Sequence, residues 1–262
     1  MNKKRHTPLI IGNWKLNPTT VGEAKQLFLS IRRQLGRRKS DTHVSIAPPF
    51  PFLSELEKLS PSQNIKLSAQ DVFFENAGAH TGLVSLPMLQ SVGVSSVIVG
   101  HSELRTKGES DEDIHEKVKI VCKGGSTAIL CVGEKVRDQQ GDYFGVIEKQ
   151  VHSAIKDLPK SKLNQLVIAY EPVWAIGTGK NATPEDVHEM KLFIQKVLVN
   201  IFGRTVVNKV RIIYGGSVNE SNATALLEQG EVDGFLIGGV SLKPTEFTNI
   251  VRLAESYEKT AV

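Results

Sequence analysis

An amine (Lys15), an imidazole (His101) and a carboxylate (Glu171) each stand just after a short apolar run of the sequence. The runs are rich in Val and Ile, which is typical of strands that are buried on both faces. If the runs are parallel strands of one sheet, the three side chains lie at the same edge. A carboxylate that accepts a proton, an imidazole that donates a hydrogen bond and a cation suit proton transfer on an anionic substrate. The spacing therefore predicts an acid–base site.

Two glycine-rich segments occupy similar places later in the chain. Gly215-Gly216-Ser217 and Gly238-Gly239 each end an apolar run and precede a helical pattern. The backbone N–H groups of such turns bind anions, and the N-terminus of a helix adds partial positive charge. The simpler interpretation is that glycine serves only the backbone angles of a tight turn. The pattern favours a phosphate site that includes Ser217, Gly238 and Gly239.

Eight apolar runs alternate with longer amphipathic segments along the whole chain. The predicted strands are Leu9–Gly12, Val44–Ala47, Ile65–Ala69, Val97–Gly100, Thr127–Val132, Leu166–Tyr170, Val210–Tyr214 and Gly234–Gly238. The predicted helices include Thr20–Leu35, Asp111–Cys122, Thr183–Phe202, Asn219–Glu228 and Thr245–Tyr257. Such alternation indicates a parallel sheet with helices outside it, and eight units in this length favour a closed barrel. We expect one (β/α)8-barrel domain over residues 1–262, with Met1–Thr7 as a flexible basic N-terminus.

The composition excludes several classes of protein. Of the 262 residues, 40% are hydrophobic and 23% are charged, which is ordinary for a globular chain. The net charge of +4 is not accompanied by a nucleic-acid motif, and no apolar run is long enough for a membrane span or a signal peptide. We expect a cytoplasmic protein that binds neither nucleic acid nor membrane.

Cys122 and Cys131 are the two cysteines, and their spacing does not indicate a disulfide framework. The sequence predicts reduced thiols and no metal site. It leaves open whether Cys131 is a packing residue or a reactive thiol.

Five segments together resemble the triosephosphate isomerase family. They are Gly12-Asn13-Trp14-Lys15-Leu16-Asn17, Val99-Gly100-His101-Ser102-Glu103, the run from Ala169 to Gly179, Tyr214-Gly215-Gly216-Ser217-Val218, and the run from Asp233 to Gly239. They occur in the family's order from about Ile10 to the last helix. The resemblance implies a TIM barrel that interconverts dihydroxyacetone phosphate and D-glyceraldehyde 3-phosphate in glycolysis and gluconeogenesis, without a cofactor.

The resemblance also implies a role for each residue of the site, following chemistry that is established for the family. Glu171 is expected to be the base, and His101 to donate a hydrogen bond to the enediolate oxygen. Lys15 supplies positive charge, Asn13 holds the oxyanion or Lys15, and Glu103 orients Lys15 or accepts a hydrogen bond from the site. The segment 172–182 is expected to be a lid that excludes water, with Gly177 in it contributing to phosphate binding.

The sequence departs from the family in two neighbouring loops. Leu104 stands where the family usually has Arg, and Thr106-Lys107 is in a stretch that is one residue shorter than usual. Leu83 stands where the family usually has Glu, and His80 where an aromatic residue is common. In the family these loops meet across a dimer interface, so we expect a repacked homodimer through the loops around Asn17, Thr81 and Leu104.

Two alternative functions remain open at this point. A barrel with the same catalytic set could act on a four-carbon ketose phosphate instead. A barrel that only binds a phosphate metabolite or a protein partner is a second alternative, but the presence of Asn13, Lys15, His101 and Glu171 argues against it.

Overall fold

Eight parallel strands close into a barrel in the computed structural model, which describes residues 6–38, 40–60, 65–175 and 182–260. The strands are β1 (Leu9–Asn13), β2 (His43–Ala47), β3 (Lys66–Ala69), β4 (Val94–Val99), β5 (Thr127–Val132), β6 (Leu166–Tyr170), β7 (Arg211–Tyr214) and β8 (Gly234–Ile237). Each strand pairs with the next, and β8 pairs with β1. The predicted fold class, a (β/α)8 TIM barrel, is confirmed.

Helices lie outside the barrel. The α-helices of the described ranges are α1 (Val21–Leu35), α2 (Leu53–Glu57), α3 (Leu86–Ser91), α4 (Ser102–Thr106), α5 (Asp111–Lys123), α6 (Asp142–Ile155), α7 (Pro184–Phe202), α8 (Ala223–Glu228) and α9 (Pro244–Thr260). Within these ranges, none is both long and apolar enough to cross a membrane.

Three of the longer helices, α1, α5 and α7, begin where the sequence predicts. Thr20, Ser110 and Thr183 each accept a hydrogen bond from the N–H group three residues ahead, and an acid at that position bonds back to the cap. These capping boxes satisfy N–H groups that would otherwise lack partners, at about 0.5–2 kcal/mol for each cap. The helix starts are therefore determined locally.

The core has two layers because each strand alternates its side chains between the barrel interior and the helices. The interior holds small and branched residues, including Ile11, Ile98, Ile129 and Ile213, and also Cys131. A larger layer between strands and helices contains Cys122. Both cysteines are unpaired, as predicted.

Two predicted elements differ from the observed ones. The strand expected at Val97 begins at Val94, because Val94 and Ser96 pair with β3 and Ser96 also pairs with β5. The helix expected from Asn219 begins only at Ala223. Asn219 Oδ1 accepts hydrogen bonds from the N–H groups of Ser221 and Asn222, and these side-chain contacts hold a turn in place of a first helical turn.

Candidate active site

The carboxyl ends of the strands surround a cavity of about 240 Å³. Its lining includes Asn13, Lys15, His101, Glu171, Ser217, Gly238 and Gly239. Asn13 ends β1, and Glu171 directly follows β6. Because all strands are parallel, residues that are far apart in sequence meet at one rim. Of the predicted site residues, Glu103 reaches this rim through its contact with Lys15, and Gly177 lies outside the described residues.

Glu171 is buried and its carboxylate has two neighbours from the β4–α4 connection. Oε2 accepts a hydrogen bond from the N–H of Ser102 at 3.1 Å, and Oε1 lies 3.3 Å from Nε2 of His101. The backbone is fixed by a hydrogen bond from its N–H to the carbonyl of Val132 at 2.8 Å. The carboxylate is thus an acceptor held on a rigid strand end.

The ring of His101 is oriented by the helix that it caps. Nδ1 accepts the N–H of Glu103 at 3.2 Å, at the start of α4. A neutral imidazole with one accepting nitrogen carries its proton on the other, so Nε2 is the donor. That proton points toward Glu171 and the cavity, and it is available to an oxygen that enters there.

Lys15 is held in an unusual backbone conformation at the mouth of the cavity. Its φ of 53° lies in the left-handed region, which costs a residue other than glycine roughly 1–2 kcal/mol. Asn13 Oδ1 accepts the N–H of Lys15 at 3.0 Å, and Gln70 Nε2 donates to the carbonyl of Lys15 at 2.8 Å. These two amide side chains hold the conformation in place.

The ammonium group of Lys15 lies 2.6 Å from Oε1 of Glu103. Partial burial opposes ionisation of Glu103, but the hydrogen bond and charge of Lys15 outweigh it, so the pKa of Glu103 lies below its ordinary value. Glu103 therefore faces Lys15 as an anion at neutral pH.

The two glycine-rich segments face Lys15 from the other side of the cavity. A Cβ on Gly238 would lie 3.3 Å from Cε of Lys15, so the lysine side chain runs along this glycine. Gly239 begins a short 3-10 helix, Gly239–Leu242, as the sequence suggested. Ser217 is exposed in the loop after β7. The N–H groups of Gly238 and Gly239 and the Lys15 cation together suit a bound phosphate.

Sequence reasoning missed three residues that position this site. Gln70 follows β3 and donates to the carbonyls of both Lys15 and Ala47. Ser241 donates to the carbonyls of Asn13 and Gly238. Gly133 follows β5, and a Cβ there would lie only 1.7 Å from the carbonyl oxygen of Glu171. Gln70 and Gly133 stand one residue past a strand, which is the same signal that marks Glu171.

The described part of the expected lid is its first segment, which contains the 3-10 helix Val173–Ala175. Residues 176–181 lie outside the described residues. Glu134 is fully buried beneath this segment and accepts hydrogen bonds from Trp174 Nε1 at 2.7 Å and Tyr170 Oη at 2.8 Å. Burial raises the pKa of Glu134, although these hydrogen bonds oppose the shift. The start of the lid is therefore anchored to the barrel.

Cys131 lies beside Glu171 and is fully buried in the barrel interior. Burial first, and then the nearby charge of Glu171, raise the pKa of this thiol well above its usual value. Because the thiolate is the reactive form, Cys131 is a packing residue.

Known proteins are similar to this chain over nearly its whole length. The family model described as triosephosphate isomerase matches residues 8–254. The chain is 44% identical over 250 residues to triosephosphate isomerase of Carboxydothermus hydrogenoformans, which covers 94% of this chain and 98% of that protein. It is 42% identical over 248 residues to triosephosphate isomerase of Trichlorobacter lovleyi, with 94% and 98% covered. It is 41% identical over 250 residues to triosephosphate isomerase of Endomicrobium trichonymphae, with 95% and 99% covered.

Proposed function

The chain belongs to the triosephosphate isomerase family and interconverts dihydroxyacetone phosphate and D-glyceraldehyde 3-phosphate, and we propose that Glu171, His101 and Lys15 carry out this reaction. The observation that carries the proposal is the 3.3 Å approach of a donor nitrogen of His101 to the carboxylate of Glu171 in the cavity that Lys15 also lines. A base and a hydrogen-bond donor that face the same space can act on adjacent atoms of one substrate.

In the proposed mechanism the Glu171 carboxylate removes the proton from the carbon beside the substrate carbonyl. The electrons of that C–H bond form the C=C bond of an enediolate, and negative charge develops on the former carbonyl oxygen. The Nε2–H of His101 donates to that oxygen in place of Glu171. The proton of the adjacent hydroxyl group then moves, through His101, to the former carbonyl oxygen, and the electrons left on the adjacent oxygen form the new C=O bond. Protonated Glu171 returns its proton to the former carbonyl carbon, which completes the aldose–ketose exchange.

Lys15 and the glycine loops have a different task, which is to hold the phosphate. Lys15 runs along Gly238, so its cation and the N–H groups of the loop face the same region. Binding energy from the phosphate orients the reacting carbons against Glu171, and the lid excludes water from the enediolate. We place Asn13 and Glu103 in this mechanism as the residues that position Lys15.

A coupled assay on glyceraldehyde 3-phosphate with Glu171 variants tests the assignment. Glu171→Gln removes the base, and we expect kcat to fall by about 10²–10⁴-fold. Glu171→Asp withdraws the carboxylate by about one methylene, and we expect a loss on the order of 10²-fold. Glu148→Gln, an exposed glutamate of α6, is the matched control and should keep full activity. Unchanged turnover in Glu171→Gln would contradict the assignment.

The same assay addresses substrate length. We expect kcat/KM for triose phosphates to exceed that for a four-carbon ketose phosphate by about 10-fold or more, because an extra carbon group must fit the same small cavity. Equal values for the two substrates would favour the four-carbon alternative.

We also propose that the chain forms an isologous homodimer through the loops around Asn17, Thr81 and Leu104. Leu16 is 89% exposed and Leu83 is 49% exposed, which supports an apolar contact at these loops. Leu104 is half-buried on α4. The cytoplasmic location expected for a glycolytic enzyme stays a prediction.

A further inference from the structure

Four ligand-type side chains gather on the outer face of the barrel, where α5 packs against α6. Glu112, His115 and Glu116 lie on consecutive turns of α5, and one ligand atom from each lies within 4.8 Å of the others. Asp157, just after the end of α6, brings a carboxylate oxygen to 3.3 Å from Nε2 of His115. The proposed isomerase mechanism uses none of these residues.

The hydrogen bond of Nδ1 shows which ring nitrogen of His115 can bind an ion. Its side chain is 3% exposed, and Nδ1 lies 3.3 Å from the carbonyl oxygen of Ala154. A carbonyl only accepts, so Nδ1 must carry the proton. In the neutral ring, Nε2 then presents a lone pair to the carboxylates of Asp157 and Glu116. Glu116 Oε1 is also bonded by Lys119, but Nε2 and the Asp157 carboxylate are two acceptors that face each other at 3.3 Å. A cation between them, or a second proton on the ring, relieves this contact.

The distances from Nε2 of His115 to two carboxylate oxygens are close to those between the ligand atoms of a metal site. Zn–N and Zn–O bonds of about 2.0–2.2 Å place the ligand atoms of a tetrahedral site about 3.3–3.6 Å apart. Nε2 of His115 lies 3.3 Å from Asp157 Oδ2 and 3.7 Å from Glu116 Oε1. Histidines that bind metals usually donate their other N–H to a carbonyl or carboxylate, as His115 does to Ala154. The ring is thus already oriented as a ligand.

The charge of the cluster also favours a divalent cation. Three carboxylates face the ring, and two lysines partly compensate them: Lys119 contacts Glu116, and Lys156 contacts Glu112 at 3.2 Å. These are surface ion pairs, which contribute little to stability, so an entering ion can displace them at small cost. An imidazole with carboxylates selects zinc-class ions over Mg²⁺ or Ca²⁺.

We propose that Glu112, His115 and Glu116, together with Asp157 beside His115, form a binding site for a divalent transition-metal ion such as Zn²⁺. The ion joins α5 to the end of α6, so it stabilises the fold and takes no part in the isomerase reaction. The sequence predicts no metal site, because Asp157 reaches the cluster only through the packing of α6 against α5, which no local pattern shows.

Zinc titration of the full chain tests the proposal by calorimetry and thermal unfolding. We expect one Zn²⁺ per chain. We also expect Tm to rise by roughly 5–10 °C when free zinc exceeds Kd by about 100-fold. Co²⁺ should produce the visible absorption of a tetrahedral site. Absence of both the Tm shift and stoichiometric binding in the wild-type chain would overturn the proposal and would assign the cluster to a protonated His115.

Three variants separate this site from adventitious binding. His115→Asn keeps an N–H for the Ala154 carbonyl but removes Nε2, and Asp157→Asn changes an exposed side chain without altering its size. Both should lose the Tm shift and the bound ion while kcat/KM stays unchanged. His152→Asn removes an exposed histidine of α6 that is not a member of the cluster, and it should bind zinc as the wild type does. Equal binding by all three variants would overturn the proposal.

Discussion

At the scale of single residues, two neighbouring residues of the β4–α4 connection contact the Glu171 carboxylate. Ser102 donates its N–H to Glu171, while the neighbouring His101 caps the same helix and faces the same carboxylate. The short connection between β4 and α4 therefore positions the side chains of both His101 and Glu171. Cys131 fills the space below, and its thiol stays neutral beside the Glu171 charge because burial raises the pKa of the thiol.

The two thiols give a prediction about pH. Burial raises the pKa of Cys122 to about 11 and that of Cys131 well above its usual value, whereas an unfolded thiol titrates at about 8.5. The folded state thus holds these protons more tightly. Their contribution to the free energy of unfolding is complete below about pH 8.5 and is lost as the pH rises toward about 11.

A thiol reagent and urea unfolding at several pH values measure both consequences. Native protein at about pH 8 should label slowly, and urea-unfolded protein should label at both cysteines quickly. The urea midpoint should fall between about pH 8.5 and 10. Rapid labelling of the folded chain would contradict the prediction.

At the scale of elements, the strand ends are packed so closely that two glycines lie directly against Glu171. A Cβ on Gly133 would overlap the carbonyl oxygen of Glu171, and one on Gly215 would lie 2.8 Å from Cγ of Glu171. Strands β5, β6 and β7 therefore approach one another without a side chain between them at this level. That approach holds Glu171 at one position on the rim.

Gly133→Ala tests the requirement for this close approach. The added methyl group must push the backbone of Glu171 aside, so we expect a loss of about 1–3 kcal/mol in the free energy of unfolding and a lower kcat. Gly145→Ala is the matched control, because Gly145 lies within α6 with open space at its Cβ position. It should gain up to about 1 kcal/mol and keep its kcat. Urea unfolding and the coupled assay measure both, and wild-type behaviour of Gly133→Ala would contradict the argument.

At the scale of the whole molecule, barrel closure brings first and last elements together. β8 pairs with β1, and Ser241 after β8 bonds the carbonyl of Asn13 at the end of β1. The phosphate loop and the lysine loop are therefore neighbours, although they are more than 200 residues apart in sequence. The site depends on closure of the whole barrel.

Association of two chains is the prediction that belongs to this scale. Sedimentation over a concentration series should show a dimer at micromolar concentration. Leu83→Glu should weaken it by about 100-fold or more, because a carboxylate buried without a partner costs several kcal/mol. Adding Leu104→Arg should restore association by supplying the charge partner that the family usually has there.

The control for this prediction is Leu192→Glu, which places the same charge on an exposed leucine of α7. It should sediment as the wild type does. A wild-type chain that is monomeric at micromolar concentration and fully active would contradict the dimer.

The sequence by itself determined the strands, the capped helices and the order of the site residues. Apolar periodicity and capping are local properties, so Thr20, Ser110 and Thr183 mark helix starts without help from the rest of the fold. The position of Lys15, His101 and Glu171 after predicted strands likewise places them at one rim from local patterns alone. The start of α8 was predicted wrongly because Asn219 and Asn222 satisfy the loop N–H groups through side chains.

Only the tertiary structure decided how those residues meet. The approach of His101 to Glu171 and the support that Gln70 and Ser241 give to Lys15 and Asn13 depend on contacts between separate strand ends. The cluster at His115 likewise needs Asp157 from the turn after α6. Local patterns set which residues form a strand or a helix, but distances between side chains of different elements are set by packing, which no short stretch of sequence contains.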